Sequence, residues 1–374
     1  MKKIILISLI VIIVIGTFSY GFFSGHYKIF PFEELKILKE NFEHDSKETN
    51  VQEFFIKQDV KKLITIENEK DVLEKRQDVI DYIWKKDNHL IFSKMPTDIQ
   101  KNIIDSKFEG FSNIKRIDQL KMIMKFGIES NAYLLLPEIE NNKVVIYHQG
   151  HSGDFSQSEK TIQFFLDKGF SILIFSMPLV EPNNKPIVET EFGSIELRSH
   201  EFLKFLESEN FSTLSLFTEP VIVGINYLEN NFEYSSYYMV GISGGGWTTV
   251  LVSAIDDRIS KSFSVAGSVP IYLRTIPNNL GDYEQTIPDF YKIANYLDLY
   301  IMSSHGENRQ FIQIFNKYDP CCFSGDVYKT YDSEIKEVVN KLDNGMFEVF
   351  LDENKEHTIS QESLEYIVNA MENY

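Results

Sequence analysis

Cysteine is almost missing from this chain: 374 residues carry only Cys321 and Cys322, side by side. Adjacent cysteines close a strained ring when oxidised, so no disulfide framework is expected. Two neighbouring thiols also offer too few ligands for a metal site, and they read as small residues packed in a loop. A chain of this length can bury a sufficient core without staples, so the shortage says nothing against export. Basic charge is the second shortage. Lys and Arg total 37 against 55 Asp and Glu, a net charge of −18. Nothing here would neutralise phosphates, which argues against a nucleic-acid partner. Internal repeats and low-complexity linkers are missing too. A β-propeller would show as repeated strand blocks, and none is present.

One long hydrophobic run stands at the start. After Lys2 and Lys3, Ile4 to Phe23 carries no charge and is rich in Ile, Leu, Val and Phe. At ~1.5 Å per residue such a run crosses a bilayer core of ~30 Å. The leading lysines stay cytoplasmic, so residues 1–25 are expected to anchor the chain in a membrane with the rest on the extracytoplasmic side. A cleaved signal peptide, with Ser19-Tyr20-Gly21 as its small-x-small site, is the competing reading and would give a secreted protein. A buried core helix is the third.

Residues 26–110 are charged and carry helical spacing, with Leu73, Ile80, Ile83 and Trp84 as one face. The spacing predicts a helical lead-in that packs on the main domain or spaces it from the membrane. From Phe111 the texture changes to short strands. Ile114–Met124 and Ser130–Pro137 read as a hairpin around Phe126-Gly127. Apolar strands follow at Lys143–His148, Ser171–Ser176, Tyr237–Ser243, Ser260–Gly267, Phe311–Asn316 and Met346–Asp352. Between them lie helical patterns at Glu159–Lys168, Trp247–Ile255 and Gln361–Met371. This alternation predicts an α/β domain over 111–374, a mostly parallel sheet covered on both faces with the hairpin as its antiparallel edge. The interval 179–236 exceeds one crossover and is expected to hold helices near Ile195–Glu207 and Pro220–Leu228, as a cap or pocket wall.

The chain is organised around Gly241-Ile242-Ser243-Gly244-Gly245-Gly246, where a strand runs straight into a helix. A serine in so tight a turn needs neighbours without Cβ atoms. The turn also aims the first amides of the helix at any oxyanion forming beside Ser243 Oγ. A serine nucleophile further needs a base and a carboxylate to orient it. His357 follows the last strand and is the leading base; His305, in a polar loop before a strand, is second. Asp319 follows the strand ending at Asn316 and is the leading acid, with Pro320 biasing it to an extended backbone. Asp326, Asp352 and Glu353 are its substitutes. Gly244 supplies one oxyanion amide, and Gln149 or Gly150, in the loop after His148, supplies the other. His151 touches substrate or caps that loop.

The order Ser243…Asp319…His357, each residue after a strand, resembles that of the α/β-hydrolase superfamily, in its serine esterase and oligopeptidase-like branch. The resemblance covers roughly 111–374. It departs from the family's His-Gly-Gly-type loop, because Gln149 intervenes between His148 and Gly150. Asp256-Asp257-Arg258-Ile259 is similar to a segment that is structural in such proteins. The resemblance implies an acyl bond hydrolysed through an acyl-enzyme, in a small-molecule substrate, with no metal or organic cofactor. A carboxylic ester is the expected substrate; a short peptide, or a silent membrane-tethered binding scaffold, are the alternatives. Oligomeric state is not legible.

Overall fold

The structure, a computed structural model, describes residues 17, 20–21, 58–153, 155–274 and 277–372. Val51–Tyr374 form one compact unit and Met1–Asn50 a second. In the second unit only Thr17, Tyr20 and Gly21 are described, all helical. Apart from these three residues, the expected membrane anchor lies outside the described residues, among which no helix is long and apolar enough to cross a membrane.

The larger unit is built on a nine-stranded sheet in the order β1-β2-β3-β5-β4-β8-β9-β10-β11. Its strands are β1 (Asp98–Gln100), β2 (Ile114–Ile123), β3 (Glu129–Pro137), β4 (Lys143–His148), β5 (Ser171–Phe175), β8 (Ser236–Ile242), β9 (Ile259–Val265), β10 (Gln310–Asn316) and β11 (Met346–Asp352). A separate hairpin joins β6 (Ile187–Thr190) to β7 (Gly193–Glu196). Strands β5, β4, β8, β9, β10 and β11 pair in parallel, whereas β1, β2 and β3 add an antiparallel margin. The hairpin β2–β3 is thus present as expected. The outermost strand, however, is β1, contributed by the segment expected to be helical. It is short and pairs along one side only, through Asp98–Gln100 against Gln119–Lys121, so no hydrophobic alternation marks it in the sequence.

Alternation along the strands sends side chains to two cores. From β4, Val145 and Tyr147 pack on one face with Phe165 of α2 (Glu159–Asp167) and Ile367 of α7 (Gln361–Glu372). Val144 and Ile146 point the other way. That second face is covered by α1 (Glu69–Trp84), α3 (Ser215–Asn231), α4 (Gly244–Ile255) and α5 (Tyr296–Ser304). A further helix, α6 (Asp332–Lys341), crosses from β10 to β11 and buries Ile335 and Val339. Strands buried on both faces read as unbroken apolar runs, which is why the central ones were legible.

Helix α1 starts at a capping box, Asn68 with Asp71, and docks by Arg76 Nε donating to the Ala254 carbonyl at 2.9 Å and Lys75 Nζ to Ile293 O. Its buried face is Val72, Val79, Ile80 and Ile83, while Leu73 is 53% exposed. Val72 and Leu73 lie about 100° apart on the helix. Which of them turns inward was decided by the docking surface. In the insertion, Ile195–Glu207 is not one helix: β7 takes its start and a 3-10 segment, His200–Phe205, takes the rest. The helix expected at Pro220–Leu228 begins earlier, at Ser215.

Candidate active site

The parallel strands end in register. His148 pairs with Gly241, Gly241 with Ser264, and Asn316 with Asp352. The loops that follow β4, β8, β10 and β11 consequently converge on one edge of the sheet, the edge where open α/β sheets assemble their sites.

Ser243 occupies the turn from β8 to α4 with φ 56° and ψ −124°, a conformation that costs a non-glycine residue roughly 1–3 kcal/mol and persists only when its surroundings over-determine it. They do. The Ser243 amide donates to Val265 O at 2.9 Å and its carbonyl accepts from Trp247 N–H at 3.0 Å. The flanking glycines are sterically compelled. A Cβ on Gly241 would sit 2.2 Å from Gly245 O, and one on Gly245 would sit 2.0 Å from His148 O. The turn leaves the Gly244 amide at the helix N-terminus, where helix geometry offers it no intrahelical partner.

The loop after β4 passes directly over this turn. A Cβ on Gly150 would lie 2.7 Å from Ser243 Cβ and 3.3 Å from its Oγ. Of the two residues expected to give a second oxyanion amide, Gln149 is already engaged, its N–H donating to Phe175 O at 2.9 Å. Its side chain is also held, accepting from Tyr147 Oη at 2.8 Å and Ser158 Oγ at 2.6 Å. The Gly150 amide has no hydrogen bond to another described residue, which leaves it as the candidate donor.

His357 and Asp319 meet. His357 Nδ1 lies 2.7 Å from Asp319 Oδ2, with the Asp319 side chain fully buried and that of His357 18% exposed. The other carboxylate oxygen accepts the Cys321 amide at 2.8 Å. Burial alone lowers the His357 pKa, but the adjoining carboxylate outweighs it and displaces the pKa upward from the ordinary imidazole value. Ser243 and His357 line the same cavity, of 840 Å³, with Gln149, Gly150 and Thr358. No hydrogen bond joins them in this structure.

The substitutes are placed elsewhere. His305 precedes β10 at the opposite end of the strand and is buried with neither ring nitrogen partnered among the described residues. Asp326 pairs with Lys329 at 2.8 Å and Glu353 with Lys317 at 2.7 Å. Asp352 accepts from Ser360 Oγ and Ser363 Oγ. His148 is buried beside Gln149 O, and burial pushes its pKa down to about 4. Both cysteines are free thiols.

His151 is tied up rather than free. Its Nε2 lies 2.8 Å from Asp282 Oδ2 and 3.0 Å from Glu284 Oε1, and its ring abuts Gly244, where a Cβ would fall 2.2 Å from Cε1. Burial lowers its pKa, yet the two carboxylates prevail and push it up to about 10. Sequence reasoning missed Asp282, Glu284 and their further neighbour His200, which are scattered over the chain without a motif. It also missed Asn316. Its Nδ2 donates to Asp319 Oδ2 at 3.2 Å and to the Thr358 carbonyl at 3.0 Å, fastening the acid loop to the histidine loop. An Asn closing an apolar strand three residues before the acid was the only available signal.

No protein-family model matches the chain, and no curated protein matches it. Solved structures do. It is similar to an acetyl xylan esterase from Paenibacillus sp. R4, at 14% identity and a TM-score of 0.56, over 80% of this chain and 99% of that one. It is also similar to acetyl xylan esterase 1 from Thermoanaerobacterium sp. JW/SL YS485, at 14% identity and a TM-score of 0.53, over 80% of this chain and 92% of that one. At such identity the likeness speaks of architecture. Together with the parallel sheet, the serine turn after β8 and the loops gathered at one sheet edge, it establishes that the chain has the α/β-hydrolase fold.

Proposed function

We propose that the protein is a serine hydrolase that cleaves a carboxylic ester, with Ser243 as nucleophile, His357 as base and Asp319 as the acid that orients it. The observation that carries this reading is His357, held 2.7 Å from the buried Asp319 carboxylate, lining one cavity with a serine held at φ 56°. Asp319 fixes the proton of His357 on Nδ1, which leaves Nε2 to take the Ser243 hydroxyl proton as Oγ attacks the ester carbonyl. The amides of Gly244 and Gly150 hold the resulting oxyanion. Its collapse breaks the ester C–O bond, and the departing alkoxide takes the proton back from His357 and leaves as an alcohol. Water, activated by the same imidazole, then releases the carboxylic acid from Ser243. The two similar structures are named acetyl xylan esterases, which favours a small acyl group on an alcohol over a peptide.

The test is fluorophosphonate labelling of the full-length chain beside Ser243→Ala and His357→Ala. Labelling that requires both residues is expected; a folded wild-type chain that takes no label, and hydrolyses no p-nitrophenyl acetate, refutes the reading in favour of a binding scaffold. We further propose that residues 1–25 anchor this domain on the extracytoplasmic side, supported by Lys2 and Lys3 ahead of an uncharged run to Phe23. A mature N-terminus near residue 22 would replace the anchor with a signal peptide.

A further inference from the structure

We propose that His151, His200, Asp282 and Glu284 form a binding site for a divalent transition-metal ion of the zinc class. Each offers one donor atom, and the four atoms all lie within 4.8 Å of one another. They arrive from three separate stretches: the loop after β4, the 3-10 segment of the insertion, and the segment between β9 and α5. Three of the donors form a near-equilateral triangle. His151 Nε2 to His200 Nδ1 is 3.1 Å, His151 Nε2 to Glu284 Oε1 is 3.0 Å, and His200 Nδ1 to Glu284 Oε1 is 2.9 Å. Tetrahedral bonds of about 2.0–2.1 Å set ligand atoms about 3.3 Å apart. Opening the triangle by a few tenths of an ångström seats the ion, with Asp282 Oδ2 as the fourth ligand.

The hydrogen-bond bookkeeping of the cluster points the same way. His200 Nε2 lies 2.8 Å from the Pro178 carbonyl, which only accepts, so that nitrogen carries a proton. Its Nδ1 faces Glu284 Oε1, a carboxylate oxygen, at 2.9 Å, and either a second ring proton or a metal ion between the two serves that contact. A ligating imidazole whose far N–H is held by a backbone carbonyl is the usual outer support of a metal site. His151 Nε2 faces Asp282, Glu284 and His200 at once, and one N–H cannot serve all three. Glu284 supplies a second, independent sign. It is fully buried, and its Oε2 has no hydrogen-bond partner among the described residues. A carboxylate oxygen left bare in the interior is costly, and coordination by both oxygens would satisfy it.

Two imidazoles and two carboxylates without a thiolate suit zinc or cobalt better than a soft ion. A cavity of 650 Å³ lined by His151, His200 and Asp282 gives the ion a way in. Bound there, it would tie the insertion to the loop that passes over Ser243. It would also fix the His151 ring that abuts Gly244. This is a positioning role, and it does not depend on the hydrolase reading.

The full-length chain, stripped with a chelator, is titrated with Co(II) and then with Zn(II), beside Glu284→Gln and His200→Gln. The expected result is one equivalent of Co(II) per chain with the visible absorption of a four-coordinate site, displaced by Zn(II), and a thermal midpoint raised by Zn(II). Each variant is expected to weaken binding by about 100-fold or more. Should either variant fail to fold, Asp282→Asn, whose parent side chain is 45% exposed, carries the same test with a loss of about tenfold or more. A wild-type chain without a saturable equivalent overturns the proposal and assigns the cluster to shared protons. So does binding that survives the substitutions, or a thiolate-to-cobalt band, which would place the ion on Cys321, Cys322 and His357 instead.

Discussion

Replacing Asp319 by Asn tests the acid directly, because the substitution keeps the shape and removes the charge. In the wild-type chain one carboxylate oxygen faces His357 Nδ1 at 2.7 Å and the other accepts the Cys321 amide at 2.8 Å. An asparagine serves only one of these donors. If its oxygen turns to Cys321, its NH₂ meets His357 and forces the tautomer with the proton on Nε2, which cannot accept from Ser243. If its oxygen turns to His357, the Cys321 amide loses its acceptor and the imidazolium still loses its counter-charge. Opposite charges about 4 Å apart attract by about 4 kcal/mol at an effective dielectric of about 20. Screening takes little of this, since the Asp319 side chain is fully buried and that of His357 18% exposed. With the tautomer cost added, about 5 kcal/mol of transition-state stabilisation is lost, or about 10⁴-fold in kcat. The assay is steady-state hydrolysis of p-nitrophenyl acetate, with thermal unfolding beside it. One mismatched buried hydrogen bond costs about 1–3 kcal/mol of stability and should leave the chain folded. A folded variant that loses less than about tenfold in kcat would refute the assignment of Asp319.

The pH dependence follows from the same pair. In the proposed mechanism His357 acts as a base only when neutral, and its pKa is displaced upward, so kcat/KM should fall as pH drops through a value above the ordinary ~6.5 of imidazole. In Asp319→Asn the raising partner is gone and burial remains, so the acidic limb of the residual activity should move to lower pH; a pH–rate series on both proteins checks this. At the turn, Gly245→Ala would put a Cβ 2.0 Å from the His148 carbonyl oxygen, with backbone on both sides. It should cost more than about 3 kcal/mol in chemical denaturation or prevent folding. Gly193→Ala is its control: the Cβ meets open space at φ +101°, and only a backbone cost of about 1–2 kcal/mol is expected.

Ser243 was legible because the signal is local and forced. A strand, a glycine cluster and a helix adjoin in sequence, and the steric demand of the turn shows as missing Cβ atoms. The central strands were legible for a related reason, since burial on both faces leaves unbroken apolar runs. Asp319 and His357 were legible by position, each in a loop after a parallel strand. Their 2.7 Å meeting, and the separate pairings of Asp326, Asp352 and Glu353, came from partners the sequence does not display. The choice of Gly150 over Gln149 was likewise tertiary: strand β5 supplies the Phe175 carbonyl that occupies the Gln149 amide. Strand β1, the inward turn of Val72 in place of Leu73, and the strand-bearing hairpin inside the insertion were all set by the surface each segment docks on. The cluster of His151, His200, Asp282 and Glu284 is the extreme case. Its members span 133 positions, from His151 to Glu284, so no periodicity or spacing could announce it. By itself the sequence determined what each stretch could become and which residue types stand in the turns after its strands. Only the packing of loops at one edge of the sheet decided which groups share a proton, because hydrogen bonding acts over about 3 Å of space and is indifferent to distance along the chain.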